Sequence, residues 1–382
     1  MGAEILHAGF DGLKVTVQAD IPLALQNQFS QAKTQCRRTN SECVVQIGDT
    51  AFSMTPKGAR GFACHTGDLG AVWMFQDPLD RVPNNPGVIV DFRALGLATG
   101  GLGQAEAHFR SVIEDLNIRY SDQLLRVSRV DVAVDMLAPW FEPDRAALVA
   151  PAGTKVTEYT GIDETATQAT GARVTGLRAG AVSNRQLAIY DKRLEVMKTG
   201  KLGWVEIWNK ARRQHGNAPL YLRDRDESQV WRFELRLGSK QLRNQFELLS
   251  WDDLRSGIGD AYRDAFSRIR YCSPTQDTNR SRWPSHELWR TFSDTVLGDL
   301  ADHSCGLVPT DIIYANKLAK IHLIDTQLMG LFLTRAAIAD VQETDLPAFM
   351  ERHVEALLDY AKDHPKTLAE RLQKAGSKYR WT

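Results

Sequence analysis

Three stretches of this chain alternate so regularly that each must be a strand with one dry face and one charged face. In residues 129–135, Val130, Val132 and Val134 share one side, and Arg129, Asp131, Ala133 and Asp135 the other. In residues 231–237, Trp231, Phe233, Leu235 and Leu237 oppose Arg232, Glu234 and Arg236. In residues 185–190, Leu187 and Ile189 oppose Gln186, Ala188 and Tyr190, and the charged, Leu-containing run from Asp191 starts a helix. A period of two is the mark of a half-buried strand. The charged faces are either ordinary solvated sheet surface or parts of one site. Such a site would hold a hard-metal cage of oxygens, cations for a phosphate, and a tyrosine nucleophile held where sheet gives way to helix. Taken alone, Tyr190 reads as a packed aromatic.

Around these strands the pattern is α+β: a large, curved, mostly antiparallel sheet flanked by helices, with a helical C-terminal module. Strand or hairpin structure is expected over residues 5–17, with a turn signal at Asp11 and Gly12, and a helix over 22–34. Short strands over 43–47, 51–54, 62–65 and 72–75 make a meander, followed by strand 87–92 and helix 104–116. Gly96 to Gly103 reads as a glycine-rich loop before that helix, either a phosphate cradle or a flexible cap; it lacks a complete nucleotide-binding fingerprint. A helix is expected near 144–149, and strand 172–178 pairs with 186–190 across the turn at 180–184. Residues 1–300 make the catalytic domain, with its core over about 5–250. It carries a basic, Trp-containing insertion at 198–225 and an Arg-rich, mobile loop within 262–290. From 301 to 382 the composition turns helical, with helices expected over 311–324, 327–341, 346–360 and 366–374.

The ordered set of motifs carries a resemblance. Residues 129–135, then Thr175 to Gly180 leading into Ile189, Tyr190, Asp191, Lys192, Arg193, Leu194 and Glu195, then Arg232 to Arg236, resemble the replication initiation factor family. These are rolling-circle initiators of the Rep_trans type, from plasmids, filamentous phages and integrative elements. The opening Phe10 to Val17 is similar to the family's start, and the resemblance spans roughly residues 5–250. Before the glycine turn this chain has Thr175-Gly176-Leu177-Arg178 where the family has an aromatic-Ile-Gly-Ser/Thr pattern. The resemblance implies a metal-dependent tyrosine DNA nickase and ligase. On that reading Tyr190 is the nucleophile, Lys192, Arg232 and Arg236 assist it, and Asp131, Asp135 and Glu234, or any two of them, hold Mg²⁺ or Mn²⁺. The product is a 5′-phosphotyrosyl link and a 3′-hydroxyl primer. Two further readings stay open: a relaxase that nicks a conjugative transfer origin, and an origin-binding protein without chemistry.

The remaining sequence bounds these readings. The 47 basic and 47 acidic side chains cancel, which disfavours a protein that coats nucleic acid but leaves room for a local basic groove. Arg173, Arg178, Arg185 and Lys192 line either a phosphate track or a solvated rim, and Arg129 is a further candidate DNA contact. Trp204 and Trp208 among Arg212, Arg213 and other cations suit stacking on single-stranded DNA, or else share one buried helix face. Arg280 and Arg282 are candidates for duplex or hairpin contacts. No His-x-His exists, so a metal must rest on carboxylates. Five cysteines without a CxxC pair fit reduced thiols, and no leader or long apolar run is evident. The expectation is a cytoplasmic protein that avoids membranes. Its expected partners are origin DNA, a host helicase and polymerase, and a second copy of itself in a homodimer.

Overall fold

A computed structural model describes residues 2–40, 42–55, 61–67, 69–80, 82–161, 173–199, 201, 203–300, 310–362 and 367–372. The chain divides into two units, Met1–Pro309 and Thr310–Thr382. In the first, strand β1 (Glu4–Gln18) is followed by helix α1 (Leu23–Thr39) and a meander of β2 (Cys43–Ile47), β3 (Thr50–Met54), β4 (Phe62–His65), β5 (Ala71–Phe75) and β6 (Gly87–Phe92). Helix α2 (Ala94–Asp115) leads to β7 (Leu125–Leu137) and a short β8 (Leu148–Val149). Then come β9 (Val156–Gly161), β10 (Arg173–Gly180) and β11 (Arg185–Asp191), with α3 (Lys192–Thr199), α4 (Gly203–Gln214) and α5 (Arg225–Ser228) after it. Strand β12 (Val230–Gly238), helices α6 (Ser239–Asn244) and α7 (Trp251–Arg268), β13 (Arg270–Tyr271) and α8 (Glu287–Thr295) complete the unit.

Eleven strands form one antiparallel sheet in the order β2-β3-β4-β5-β6-β1-β7-β12-β11-β10-β9, so the fold is α+β. Strands β1 and β7 are neighbours near the middle. Each is followed by a meander that returns to its outer edge, which brings β12 beside β7. One face of the sheet is the core. Leu13, Val15, Val130, Val132, Val134, Phe233, Leu235, Leu187 and Ile189 are buried there. Each fully buried side chain of this kind contributes about 1.5–3 kcal/mol. Helix α7 covers it with a stripe of Leu254, Ile258, Ala261, Tyr262 and Ala265 at helical spacing. A capping box sets its start: Ser250 Oγ accepts from Asp253 N, and the Asp253 carboxylate accepts from Ser250 N at 3.0 Å. Tyr262 Oη donates to the Val130 carbonyl at 3.2 Å, tying α7 to β7.

Several local expectations are corrected. Asp11 and Gly12 make no turn: β1 runs straight through, and its register against β7 slips between Phe10 and Gly12, so Asp11 is the extra residue of a β-bulge. The glycine-rich run lies inside α2, kinked at Gly101 (φ 61°, ψ −167°), because buried Leu97, Ala98 and Leu102 reward the helical conformation. It is neither a phosphate loop nor a flexible cap. Residues 145–147 form a 3₁₀ turn, and Leu148–Val149 is a strand instead of a helix end. The loop at 273–283 is pinned: Arg280 donates to the carbonyls of Ala146 and Leu148, and Trp283 Nε1 donates to Asp277 O at 2.7 Å.

In the second unit, the helices expected over 311–324 and 327–341 are one, α9 (Thr310–Ile338), followed by α10 (Leu346–Lys362). The Phe332 and His353 rings meet edge to face at 5.3 Å between them. Of the helix expected at 366–374, residues 368–372 are helical, and 366, 373 and 374 lie outside the described residues. Among the described residues no helix is long and apolar enough to cross a membrane.

Candidate active site on the polar face of the sheet

The antiparallel register assembles the three charged faces. Tyr190 of β11 pairs with Arg232 of β12, Arg232 with Asp135 of β7, and Asp135 with His7 of β1. On the far side of Tyr190 stand Gly176 of β10 and Tyr159 of β9. Side chains alternate sides along a strand, so the next polar rows carry Arg178, Ala188, Glu234 and Ala133, then Gln186, Arg236, Asp131 and Gly12. Neighbouring members of a row are about 4.8 Å apart.

Arg232 is the centre of a buried charge network. It is fully buried, with Nε 2.5 Å from Asp135 Oδ1, Nη2 2.7 Å from Asp135 Oδ2 and Nη1 2.5 Å from Asp11 Oδ1. Its guanidinium lies 4.0 Å from the Trp204 ring centre, and Trp208 Nε1 donates to Asp135 Oδ2 at 2.8 Å. Burial works against a charged Asp135, but Arg232 outweighs it and holds the carboxyl below its ordinary range. Both Asp135 oxygens are therefore committed to Arg232 and Trp208, and Arg232 is enclosed by carboxylates and indole. This corrects their expected roles: Asp135 is built in as a counter-ion, and Arg232 is not placed to brace a substrate phosphate. Trp204 and Trp208 are both buried, on one face of α4. The stacking role expected of Trp204 is thereby replaced by packing. Beside them His7 is buried, edge-on to Trp204 at 5.1 Å, with neither ring nitrogen hydrogen-bonded among the described residues. Burial lowers its pKa to about 4, against the pull of Asp135.

Asp131 and Glu234 form a second buried pair. Arg129 holds both oxygens of Asp131, through Nε at 2.9 Å and through Nη2. Gly12 leaves room for this carboxylate: a Cβ there would fall 2.2 Å from Asp131 Oδ2. Glu234 Oε1 accepts from Arg236 Nε at 2.6 Å, while its buried Oε2 has no hydrogen-bond partner among the described residues. Burial pushes the Asp131 carboxyl up to about 7; Arg129 opposes this and the Glu234 charge adds to it. An unpartnered carboxylate oxygen beside a second, destabilised carboxylate suits a hard divalent cation. Three candidate ligands close enough to hold a metal do not occur among the described residues. The described residues offer this pair and not a full cage.

Tyr190 opens on a cleft of about 460 Å³ whose lining includes Tyr159, Gly176, Arg178, Lys198 and Arg236. It is partly buried. Burial, with the Glu234 charge, raises its phenol well above 10. The strand ends at Asp191, which caps α3 by accepting from Leu194 N at 2.9 Å and receives Arg173 Nη2 at 2.5 Å. Lys192 Nζ lies 2.5 Å from Glu195, 4.8 Å from the Trp204 ring centre and 5.8 Å from that of Tyr190. Burial and then Arg232 weaken its ammonium.

The remaining cations disperse. Arg178 donates to Tyr159 Oη at 2.9 Å and borders the cleft. Arg185 turns to the core side, where it binds Gln241 at 2.8 Å and Asp264 at 2.7 Å; it lines no track with Arg178. Arg212 is paired with Glu4 at 2.5 Å, and Arg213 is exposed on α4. Arg282 is exposed, with Asp277 3.8 Å away. Tyr271 is buried, and its hydroxyl accepts from Asp144 N at 2.8 Å. Sequence reasoning missed His7, Asp11 as a partner of Arg232, and Tyr159. The one available signal was Gly9 and Gly12 inside a strand pattern, which marks a bulge or close approach.

Comparison with known proteins yields no matching family model and no matching curated protein. Among solved structures the chain is similar to one described as a rolling circle replication initiator protein from Geobacillus stearothermophilus. The identity is 14% and the TM-score 0.36, over 76% of this chain and 96% of that one. A likeness of that degree leaves the chemistry to be argued from the site.

Proposed function

We propose that the protein is a rolling-circle replication initiator that nicks and rejoins single-stranded origin DNA through Tyr190. The observation that carries this is the position of Tyr190. It is the penultimate residue of β11 and opens on a cleft with Arg178 and Arg236, one row from buried Glu234 and two rows from buried Asp131. The ordered motifs of the sequence support the same reading.

In this scheme the DNA backbone lies in the cleft and Arg236 and Arg178 neutralise the nonbridging oxygens of the scissile phosphate. The Tyr190 oxygen attacks phosphorus. The bond to the 3′ oxygen breaks, a 5′-phosphotyrosyl ester forms, and the departing 3′ oxygen takes a proton to become the hydroxyl that primes a polymerase. The phenol proton passes to solvent in the open cleft, which also returns one to the 3′ oxygen, and burial makes the first transfer harder. Lys192 stabilises the phenolate electrostatically from its place beside the ring. Attack of a 3′-hydroxyl on the tyrosyl ester reverses the step and reseals the strand. Asp131 and Glu234 would hold Mg²⁺ or Mn²⁺, which supplies Lewis-acid stabilisation of charge on the phosphate. The unpartnered Glu234 Oε2 fits that role, and Asp135 does not.

The test is covalent trapping. Purified protein is mixed with supercoiled and single-stranded DNA from its own genetic element, with Mn²⁺ or with chelator, and run on a denaturing gel. A metal-dependent protein–DNA adduct, absent in Tyr190→Phe, is expected. An adduct that survives Tyr190→Phe, or tight binding with no adduct on any of these DNAs, refutes the scheme.

A further inference from the structure

The row that contains Tyr190 has a gap in it. Gly176 pairs with Tyr190 on one side and with Tyr159 on the other, so two aromatic residues flank a position without a side chain. The tyrosines are two strands apart, roughly 9–10 Å between backbones. A stacked base needs about 3.4 Å to a ring plane, and the spacing accommodates one. The gap is maintained: a Cβ on Gly176 would come within 3.0 Å of the Ile189 carbonyl and 3.1 Å of Tyr190 Cβ. Tyr159, on the outermost strand, is 41% exposed although it lines the same cleft as Tyr190. It is also steadied. Arg178 Nη1 donates to its hydroxyl at 2.9 Å, and the guanidinium carbon is 4.6 Å from the ring centre. A solvent-facing aromatic ring, fixed by a cation and set across a gap from the nucleophile, has the properties of a stacking platform.

We propose that Tyr159 is a nucleobase platform, and that the base of a nucleotide adjoining the scissile phosphate stacks on it over Gly176. The inference rests on the reading of Tyr190 as a DNA nucleophile and adds to it a base-contacting subsite. Arg236 and Arg178 address the backbone, which every sequence shares; Tyr159 addresses the base. Removing the ring therefore weakens binding only where a base is present.

The experiment uses the full chain without added metal and two fluorescein-labelled probes of about twelve nucleotides. One is an oligothymidylate; the other is the same sugar-phosphate chain made abasic. Fluorescence anisotropy gives Kd for both. One stacked base is worth about 1–3 kcal/mol, so the wild type should prefer the thymidylate by about 5- to 150-fold. Tyr159→Ala should lose that preference while binding the abasic probe as the wild type does. Tyr159→Phe and Tyr159→Trp should keep it. An undiminished preference in Tyr159→Ala, or none in the wild type, overturns the proposal, as does failure to bind either probe. Covalent trapping with the same protein variants, run with Mn²⁺ on DNA from the protein's own genetic element, separates the two readings. A Tyr159-dependent base preference without any adduct keeps the platform and discards the nickase. An adduct together with a base preference indifferent to Tyr159 does the reverse.

Discussion

Replacing Arg232 tests whether the charge network beneath the site is as dry as it looks. Arg232 is fully buried and meets three carboxylate oxygens, two from Asp135 and one from Asp11. Asp135 is fully buried as well. Arg232→Met keeps much of the side-chain volume but leaves the Asp135 charge, among the described residues, with the Trp208 indole N–H as its one side-chain hydrogen-bond donor. Breaking a buried pair by removing one partner costs about 3–5 kcal/mol. Asp135→Asn strands the guanidinium in the same way, relieved in part by Asp11, and should fall toward 3 kcal/mol on that scale. The double variant removes both charges. Its loss should be smaller than the sum of the single losses by about 2 kcal/mol or more, within the range of measured coupling energies. The assay is urea unfolding followed by tryptophan fluorescence, since Trp204 and Trp208 are buried against this network. A loss under about 1 kcal/mol for Arg232→Met, or additive single and double variants, would refute the reasoning by showing that water reaches the network.

Three other outcomes follow from the same geometry. Mn²⁺ at about 100 times its Kd should add about 2.7 kcal/mol of stability, read as a thermal shift that chelator reverses and Glu234→Gln abolishes; an equal shift in Glu234→Gln places the ion elsewhere. His7 is neutral when folded, with a pKa lowered to about 4 from an ordinary 6.5. The unfolded chain therefore takes up a proton first, so stability present above pH 6.5 is lost progressively as pH falls toward 4, by about 3 kcal/mol at most. His7→Phe should flatten that stretch of the stability–pH curve, and a curve unchanged by the substitution would count against a buried neutral ring. Gly12→Ala should displace the Asp131 carboxylate, reducing the Mn²⁺ shift while circular dichroism stays that of the parent; a full shift would mean that Asp131 takes no part in the metal site.

Alternation made the central strands legible in the sequence. Val130, Val132 and Val134 against Asp131 and Asp135, and Phe233 and Leu235 against Glu234, assign strand and face together, and the α+β class follows from them. Periodicity does not say which residues on different strands share a row. The Arg232–Asp135 contact joins residues 97 apart, and only the register of β12 on β7 reveals that these charges consume each other. The glycine run at 96–103 misleads for a related reason. Glycine lowers helix propensity, but burial of Leu97 and Leu102 overrides it. Asp11 and Gly12 form the usual local sign of a turn, and that sign also marks a bulge when both flanks stay in the sheet. Tyr159 had no sequence signal, because its meaning comes from two strands that meet at Gly176.

That bulge makes β1 a strand with a change of phase. Before it, odd-numbered His7 and Gly9 face the charged rows and even-numbered Ala8 and Phe10 face the core; after it, even-numbered Gly12 and Lys14 face the charged rows and odd-numbered Leu13, Val15 and Val17 the core. Asp11 is thus a spacer as much as an ion-pair partner. Substituting it alters one contact. Deleting it slips the frame of everything on one side, turning either the apolar Leu13–Val15–Val17 set or its upstream counterpart onto the wrong surface. In this strand the length of the chain between two positions is inherited information in its own right, and losing Asp11 would disturb more of the strand than substituting it.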